Sequence, residues 1–159
     1  MKNKLVKVLK QTLAESTYEV KLCKTIFAYL ETAYLFYQSA HWQTNGAMFY
    51  ADHLLFQRLY EGVREEVDSM AEKLVGVYSS DLVDFTNRLD NINIISDFLN
   101  MTTVQKSYIA TGLLLENKIL EQLKSADAAD FSPGVKDLFA GFANTHEGHV
   151  YLLKQRQFA

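Results

Sequence analysis

Proline, glycine and cysteine are scarce in this chain of 159 residues, which has one proline, seven glycines and one cysteine. So few turn-forming residues argue against an all-β fold and favour long helices. Because Cys23 is the only cysteine, one chain forms neither an internal disulfide nor a thiolate metal cluster. We expect Cys23 to be a small buried apolar residue.

Long hydrophobic runs are also missing. The most apolar stretch, residues 25–37, contains Glu31 and is too short to cross a bilayer. Residues 1–11 carry lysines every two or three positions, where a signal peptide would have an apolar segment. We therefore predict a soluble, cytoplasmic protein with no membrane association, forming a single domain over residues 1–159.

Positive charge is scarce outside the N-terminus. The net charge is −3, which argues against a general nucleic-acid binder. Lys2, Lys4, Lys7 and Lys10 nevertheless fall in the first ten residues without an acid among them, and the rest of the chain keeps 12 basic against 19 acidic residues. These four lysines are candidate DNA contacts, and the alternative is a solvated helix face.

Apolar periodicity and capping signals predict a chain made of helices. Two pairs match capping boxes: Ser16 with Glu19, and Thr102 with Gln105. A turn is indicated by Asn45-Gly46. A helix start is indicated by Ser132-Pro133, where the serine is expected to cap the helix. The predicted helices cover residues 3–14, 17–42, 49–75, a short segment within 84–99, 102–123, and a last helix from 133.

This layout predicts an all-α fold: a ferritin-like four-helix bundle with a short helix in the central connection and an extra N-terminal amphipathic helix. One long central connection between two helix pairs is the feature that favours it. A simple up-down bundle or a cytokine-like bundle would show similar periodicity, so these topologies stay open on the pattern alone.

Four polar side chains form a candidate metal-ligand set. His53, Asp68 and Glu72 share a stripe of the second long helix, set apart from its apolar stripe, and His41 lies across the short turn from His53. Two imidazoles and two carboxylates suit iron, with zinc and manganese as competitors. The alternative is an ordinary solvated helix face.

Helix geometry limits where such a site can be. His53 and Asp68 are fifteen residues apart, or roughly 22 Å along a helix axis, so one ion cannot bind both within a chain. An antiparallel pairing of two copies would bring His41 and His53 of one chain to Asp68 and Glu72 of the other. The spacing therefore predicts two equivalent sites at a two-fold dimer interface.

Residues 40–76 resemble the signature region of the Dps family, DNA-binding proteins from starved cells. The matching residues keep the family's spacing, and the segment HEGHVYLLK at residues 146–154 is similar to the family's closing helix. The residues that carry the match are His41-Trp42, Gly46, Phe49, His53, Asp68 and Ala71-Glu72.

The resemblance implies a ferroxidase centre at the dimer interface of a hollow homo-oligomer, a dodecamer in this family. His41 and His53 would come from one subunit, and Asp68 and Glu72 from its partner. Family members usually carry an acid where this chain has Gln57, an amide that can still coordinate but lacks the charge. Trp42 corresponds to an aromatic residue beside the centre. Asp127, Asp130 and Asp137 fall where the family places acidic residues of ion pores.

The intrasubunit di-iron site of larger ferritins is a rival on the same fold, and it uses Glu-x-x-His pairs. None of the four histidines has a glutamate three residues before it, so the sequence does not predict that site. His146 and His149 are expected to be core or surface partners rather than metal ligands. Two functions remain: iron oxidation and storage, or a structural or DNA-compacting shell whose metal site is degenerate because of Gln57.

Overall fold

The computed structural model describes the backbone of residues 2–99 and 107–158, and the side chains of residues 18–99 and 107–158. Five α-helices and one 3₁₀ helix account for most of these residues. They are α1 (Lys2–Gln43), α2 (Phe49–Val77), the 3₁₀ turn (Ser80–Val83), α3 (Phe85–Phe98), α4 (Tyr108–Asp127) and α5 (Pro133–Gln157). The all-α fold predicted from the sequence is confirmed.

Four helices form the bundle in the cyclic order α1, α2, α5, α4. Ring contacts join Tyr37 to Phe56 and Tyr34 to Tyr60, so α1 and α2 run in opposite directions. An ion pair between Arg156 and Asp52 shows that the end of α5 lies beside the start of α2. Contacts between α4 and α5 and between α1 and α4 close the ring. Each helix therefore presents one face to a common interior.

The short helix α3 lies outside this ring and packs on α1. Asp84 caps it by accepting hydrogen bonds from the amides of Thr86 and Asn87, the capping that begins helices efficiently. Arg88 on α3 forms a salt bridge with the buried Glu31 of α1 at 2.5 Å. A short helix in the central connection was predicted, and this ion pair attaches it to the bundle.

Two helix boundaries differ from the predictions. The break expected at Ser16 is wrong, because α1 is continuous from Lys2 to Gln43. No glycine or proline precedes Gly46, so nothing in this stretch forces the helix to end. The helix expected from Thr102 begins instead at Tyr108, with Ser107 accepting a hydrogen bond from the amide of Ala110. Thr102 and Gln105 lie outside the described residues.

Two predicted signals, one for the end of a helix and one for the start of a helix, are confirmed. Gly46 has a positive φ of 81° after the end of α1, a backbone conformation that glycine adopts without strain. Pro133 begins α5 in the first helical turn. The expected serine cap is wrong in detail: among the described atoms the Ser132 hydroxyl makes no capping bond, and its carbonyl accepts from Val135 and Lys136 instead.

The bundle interior is mainly aliphatic and aromatic, and α1 contributes ten of its buried apolar residues, from Leu22 to Ala40. Cys23 is buried, as expected, and desolvation raises the pKa of its thiol to about 12. Buried polar residues also lie in this interior, among them Glu66, Glu116, His146 and His149. Among the described residues, no helix combines the length and apolarity needed to span a membrane.

Candidate metal centres

His41 and His53 form a closely packed pair at the turn between α1 and α2. Their rings stack with centroids 3.7 Å apart. His41 Nδ1 lies 2.8 Å from the His53 carbonyl oxygen, and His53 Nδ1 lies 2.9 Å from the His41 carbonyl oxygen. The approach of the two imidazoles, expected from the short turn, is confirmed.

These reciprocal bonds determine the tautomer of both rings. A carbonyl oxygen only accepts hydrogen bonds, so each Nδ1 must donate, and in the neutral imidazole each Nε2 then carries the free lone pair. A second ring nitrogen fixed by a backbone carbonyl is the usual arrangement for a metal-binding histidine. The pair is thus oriented for coordination through two Nε2 atoms.

Aromatic residues surround the histidine pair. The Phe49 ring lies 5.1 Å from the His53 ring, and Tyr60 meets the His41 ring edge-on at 5.3 Å. Trp42, the aromatic residue that the resemblance places beside the centre, is 67% exposed. The Gln57 amide donates a hydrogen bond to the Glu61 carboxylate at 2.9 Å. Position 57, where Dps family members usually carry an acid, therefore contacts an acid one turn further along α2.

Asp68 and Glu72 are exposed on the distal half of α2, and Glu72 lines a shallow depression with Lys73 and Leu138. Among the described residues, the one group that places three ligand atoms within 4.8 Å of one another does not include them. One chain thus keeps the two halves of the predicted ligand set apart on α2, as the helix span requires. The assignment of these residues as ligands, with Gln57, stays a prediction.

The other predicted positions are peripheral. Asp127, Asp130 and Asp137 are exposed around the loop between α4 and α5, and Asp127 lines a groove between these helices with Lys124 and Lys136. The pore role stays a prediction. The DNA-contact lysines, which are Lys2, Lys4, Lys7 and Lys10, belong to α1, and their side chains lie outside the described set.

A second polar cluster lies inside the bundle, and each of the four bundle helices contributes to it. The carboxylate of Glu116 on α4 is fully buried and accepts three hydrogen bonds. Its Oε1 accepts from the Tyr37 hydroxyl of α1 at 2.6 Å and from His149 Nδ1 of α5 at 3.1 Å. Its Oε2 accepts from His146 Nδ1 at 2.5 Å. Glu66 of α2 completes the cluster from the opposite side of His146.

Glu66 is buried, and its contact with His146 is an ion pair without a hydrogen bond. Its Oε2 lies 3.0 Å from His146 Nε2, an ion-pair distance when that ring is protonated, but the contact does not meet the geometry of a hydrogen bond. Both Glu66 oxygens and His146 Nε2 consequently have no hydrogen-bond partner among the described atoms. A buried polar atom without a partner costs free energy, about 1–3 kcal/mol and more for a charged group.

The electrostatics of the cluster favour an ion pair. Burial opposes ionisation of Glu116 and is the largest influence, but hydrogen bonds from His146 and His149 outweigh it and lower the pKa of Glu116 to about 2. Burial likewise opposes the imidazolium form of His146, yet Glu116 and Glu66 raise the pKa of His146 to about 9. Without a metal, His146 is therefore protonated near neutral pH and bonded to an ionised Glu116.

The role expected for His146 and His149, as core partners, agrees with their burial, but the sequence reasoning missed the carboxylates that meet them. A Glu-x-x-His motif requires both residues on one helix, whereas here each carboxylate comes from a different helix than the histidines. A usable signal was present, because Glu66 and Glu116 fall on apolar stripes, between Val63 and Met70 and beside Leu115. Charged residues at core positions usually have a partner there.

No protein-family profile and no curated protein matches the sequence, but solved structures do. Dps from Thermosynechococcus elongatus is 22% identical with a TM-score of 0.71, over 92% of this chain and 94% of that chain. Mycobacterium smegmatis Dps is 16% identical with a TM-score of 0.72, over 90% and 87%. The Dps protein from Vibrio cholerae O1, described as a member of a broad superfamily of ferritin-like diiron-carboxylate proteins, is 16% identical with a TM-score of 0.56, over 91% of both chains.

These structural neighbours agree with the resemblance seen at residues 40–76. At such identities the similarity shows the fold. The helical architecture of the described residues is thus shared with these solved structures. The chain has the ferritin-like fold of Dps proteins.

Proposed function

We propose that this protein binds and oxidises Fe²⁺ and stores the ferric product. The sites are shared between subunits at a two-fold interface, and the product collects inside a hollow homo-oligomeric shell, a dodecamer. The observation that carries the proposal is the histidine pair, in which reciprocal bonds hold two Nε2 lone pairs for coordination. Iron is the substrate, and zinc or manganese can occupy the same ligands.

The ligand chemistry supports oxidation as well as binding. His41 and His53 supply neutral imidazoles, while Asp68 and Glu72 of a second subunit supply two negative charges. Carboxylate oxygens are hard ligands that favour Fe³⁺ over Fe²⁺, so the set favours loss of one electron from Fe²⁺ to peroxide or dioxygen. The exposure of Asp68 and Glu72 in one chain leaves them available to a partner.

The exposed aspartates around the loop between α4 and α5 support uptake of cations. Asp127, Asp130 and Asp137 lie around one loop, and three symmetry-related copies of such a loop would gather negative charge around a three-fold axis. We propose this as the route by which Fe²⁺ enters the shell.

Ferrous oxidation by the purified shell tests the proposal. His41→Asn and His53→Asn are suitable variants, because an asparagine amide can reproduce the Nδ1 donor while removing Nε2. Each should lower the initial rate at least tenfold, the scale seen when metal-site residues are altered. Tyr151→Ala, an exposed change on α5, is the control and should keep the rate. Wild-type rates in both histidine variants would refute a site built on this pair.

A DNA-compacting shell with a degenerate metal site is the second candidate. It is favoured by Gln57 and by the four lysines among the first ten residues, which carry no acid. Lysine contacts to phosphate weaken steeply with salt. A shell starting at Thr12 should lose gel retardation of DNA at low salt while keeping its assembly, and retardation that survives this truncation would place any DNA contact elsewhere.

A further inference from the structure

The buried cluster of Glu66, Glu116, His146 and His149 is separate from the pair of His41 and His53. Glu66 and His53 are thirteen residues apart on α2, or roughly 20 Å along the helix axis. Glu116, His146 and His149 each offer a ligand atom, and these atoms lie within 4.8 Å of one another. Opposite ligands of a transition-metal ion are about 4.2 Å apart, twice a typical metal–nitrogen distance. One ion fits this spacing with small side-chain shifts.

We propose that the cluster is a second metal site, inside each bundle, which binds one divalent first-row transition ion. Glu116, His146 and His149 are its ligands, the two histidines through Nδ1. Binding displaces the protons that these Nδ1 atoms share with Glu116, as metal binding to histidine generally requires. The site does not depend on the proposed function, because it uses none of the residues of the subunit interface.

Charge balance supports a divalent ion. Two carboxylates, Glu66 and Glu116, neutralise a charge of +2 when both histidines are neutral. Buried charges are tolerated when they are compensated or bind a metal. The ligands themselves, one carboxylate and two imidazoles, are a mixed oxygen and nitrogen set that suits Fe²⁺, Mn²⁺, Co²⁺ or Zn²⁺.

The atoms without partners also point to a ligand. A polar network that served packing alone would be expected to satisfy its members, whereas Glu66 keeps two buried oxygens without hydrogen bonds. The Glu66 side chain is 9% exposed and faces a fully buried imidazole. With an ion on His146 Nδ1, the proton of that ring resides on Nε2 and faces Glu66. A carboxylate behind a metal-bound histidine is the arrangement that orients such ligands, and Glu66 is thus a positioning residue.

The space around His149 also supports its role as a metal ligand. A Cβ atom at Gly62 would lie 3.8 Å from His149 Nε2, an ordinary van der Waals distance, so α2 passes the far side of this ring without crowding it. The second ring nitrogen of His149 then keeps room for its proton when Nδ1 holds the ion. Tyr37 holds Glu116 in place through its hydroxyl.

Metal binding to the His41→Asn/His53→Asn shell tests the site without the histidine pair. The chain has four histidines, so His146 and His149 are then the only imidazoles left. Metal-free protein titrated with Co²⁺ should bind one ion per chain, counted by equilibrium dialysis. X-ray absorption of the Zn²⁺-loaded protein should show two imidazole ligands. A folded shell that binds no Co²⁺, or Zn²⁺ without imidazole ligands, would overturn the proposal.

Matched glutamate variants in the same background identify the carboxylates. Glu66→Gln and Glu116→Gln should weaken Co²⁺ binding at least tenfold, while Glu65→Gln, an exposed neighbour paired with Arg64, should leave it unchanged. Circular dichroism checks that each variant folds. If a core variant does not fold, the number of Co²⁺ ions bound by the His41→Asn/His53→Asn shell decides whether the site exists. Equal Co²⁺ affinity in folded Glu66→Gln, Glu116→Gln and Glu65→Gln would also overturn the assignment.

Discussion

Gln57 is the residue whose chemistry departs most clearly from the expected ligand set, and it donates a hydrogen bond to Glu61. A neutral amide leaves the proposed interface site one negative charge short. One iron position should therefore bind tightly and a second weakly.

Gln57→Asp should strengthen the weak position about tenfold, equivalent to about 1.4 kcal/mol, and should speed oxidation. The physical reason is that a carboxylate binds Fe²⁺ and stabilises Fe³⁺ better than an amide does. Anaerobic titration with Fe²⁺ counts the ions, and Gln57→Asn is the control for lost contact with Glu61. Two equally tight interface positions in the wild type would show that Gln57 does not limit the site.

The buried ion pair of His146 and Glu116 predicts how the stability of the metal-free protein depends on pH. The pKa of His146 is raised to about 9, so its contribution is complete below its ordinary pKa near 6.5 and is lost as the pH rises through 9. The pKa of Glu116 is lowered to about 2, so its contribution is complete above about 4.5 and is lost as the pH falls through 2.

Stability from this pair should thus be highest between about pH 4.5 and 6.5 and should decline toward pH 9. Urea unfolding of metal-free protein at a series of pH values measures the decline. Glu116→Gln, which removes the ion pair, should flatten the profile between pH 6.5 and 9. A wild-type profile no steeper than that of the variant would count against the pair.

At the scale of helices, α1, α4 and α5 are tightly packed at Gly112, beside the buried cluster. A Cβ atom there would lie 3.2 Å from Tyr37 and 3.3 Å from Leu153. Tyr37 is fully buried and bonded to Glu116, so a shift of its ring would strain that bond. A side chain at position 112 would therefore disturb the packing of three helices.

Gly112→Ala should lower the free energy of unfolding by about 1 kcal/mol, because overpacking of 1–3 kcal/mol exceeds the gain in helix propensity. Gly141→Ala on α5 is the matched control, since a Cβ there meets no described atom within 4 Å. It should raise the free energy of unfolding by about 0.5–1 kcal/mol. Denaturant unfolding of both variants measures the difference, and equal effects in the two would refute the packing argument.

Helices were predicted well from the sequence where the signal was local. The stop at Gly46 and the start at Pro133 follow from backbone preferences of single residues, and both are observed. The helix break predicted at Ser16 is wrong because a capping pattern only permits a helix to begin. The sequence on both sides of Ser16 is helical without interruption, so α1 continues through it. Helix ends without glycine or proline depend on packing that a local pattern does not contain.

The two candidate sites likewise differ in how far they could be predicted from the sequence. His41 and His53 are twelve residues apart across one short turn, so their contact could be predicted from the sequence. Glu66, Glu116 and His146 come from three helices and meet only after the bundle forms. Their juxtaposition depends on the cyclic order of the helices, which periodicity does not determine.

At the scale of the whole molecule, the proposed function requires one subunit to carry halves of two different interface sites. The histidine pair lies near one end of α2 and the carboxylates Asp68 and Glu72 toward the other. A two-fold axis that pairs α2 with its copy would complete both sites at once. Assembly would then be a condition for iron oxidation, and isolated subunits would lack the complete ligand set.

Subunit mixing tests the shared site most directly. In a dimer of one His53→Asn and one Asp68→Asn subunit, one site lacks both ligands and the other is intact. Random reassembly of equal amounts should restore about a quarter of the wild-type sites, measured as ferrous oxidation by shells that carry both affinity tags. We expect either variant alone to be nearly inactive and the mixed shells to regain this activity. Doubly tagged shells no more active than the two parents would show that the site is not shared between subunits.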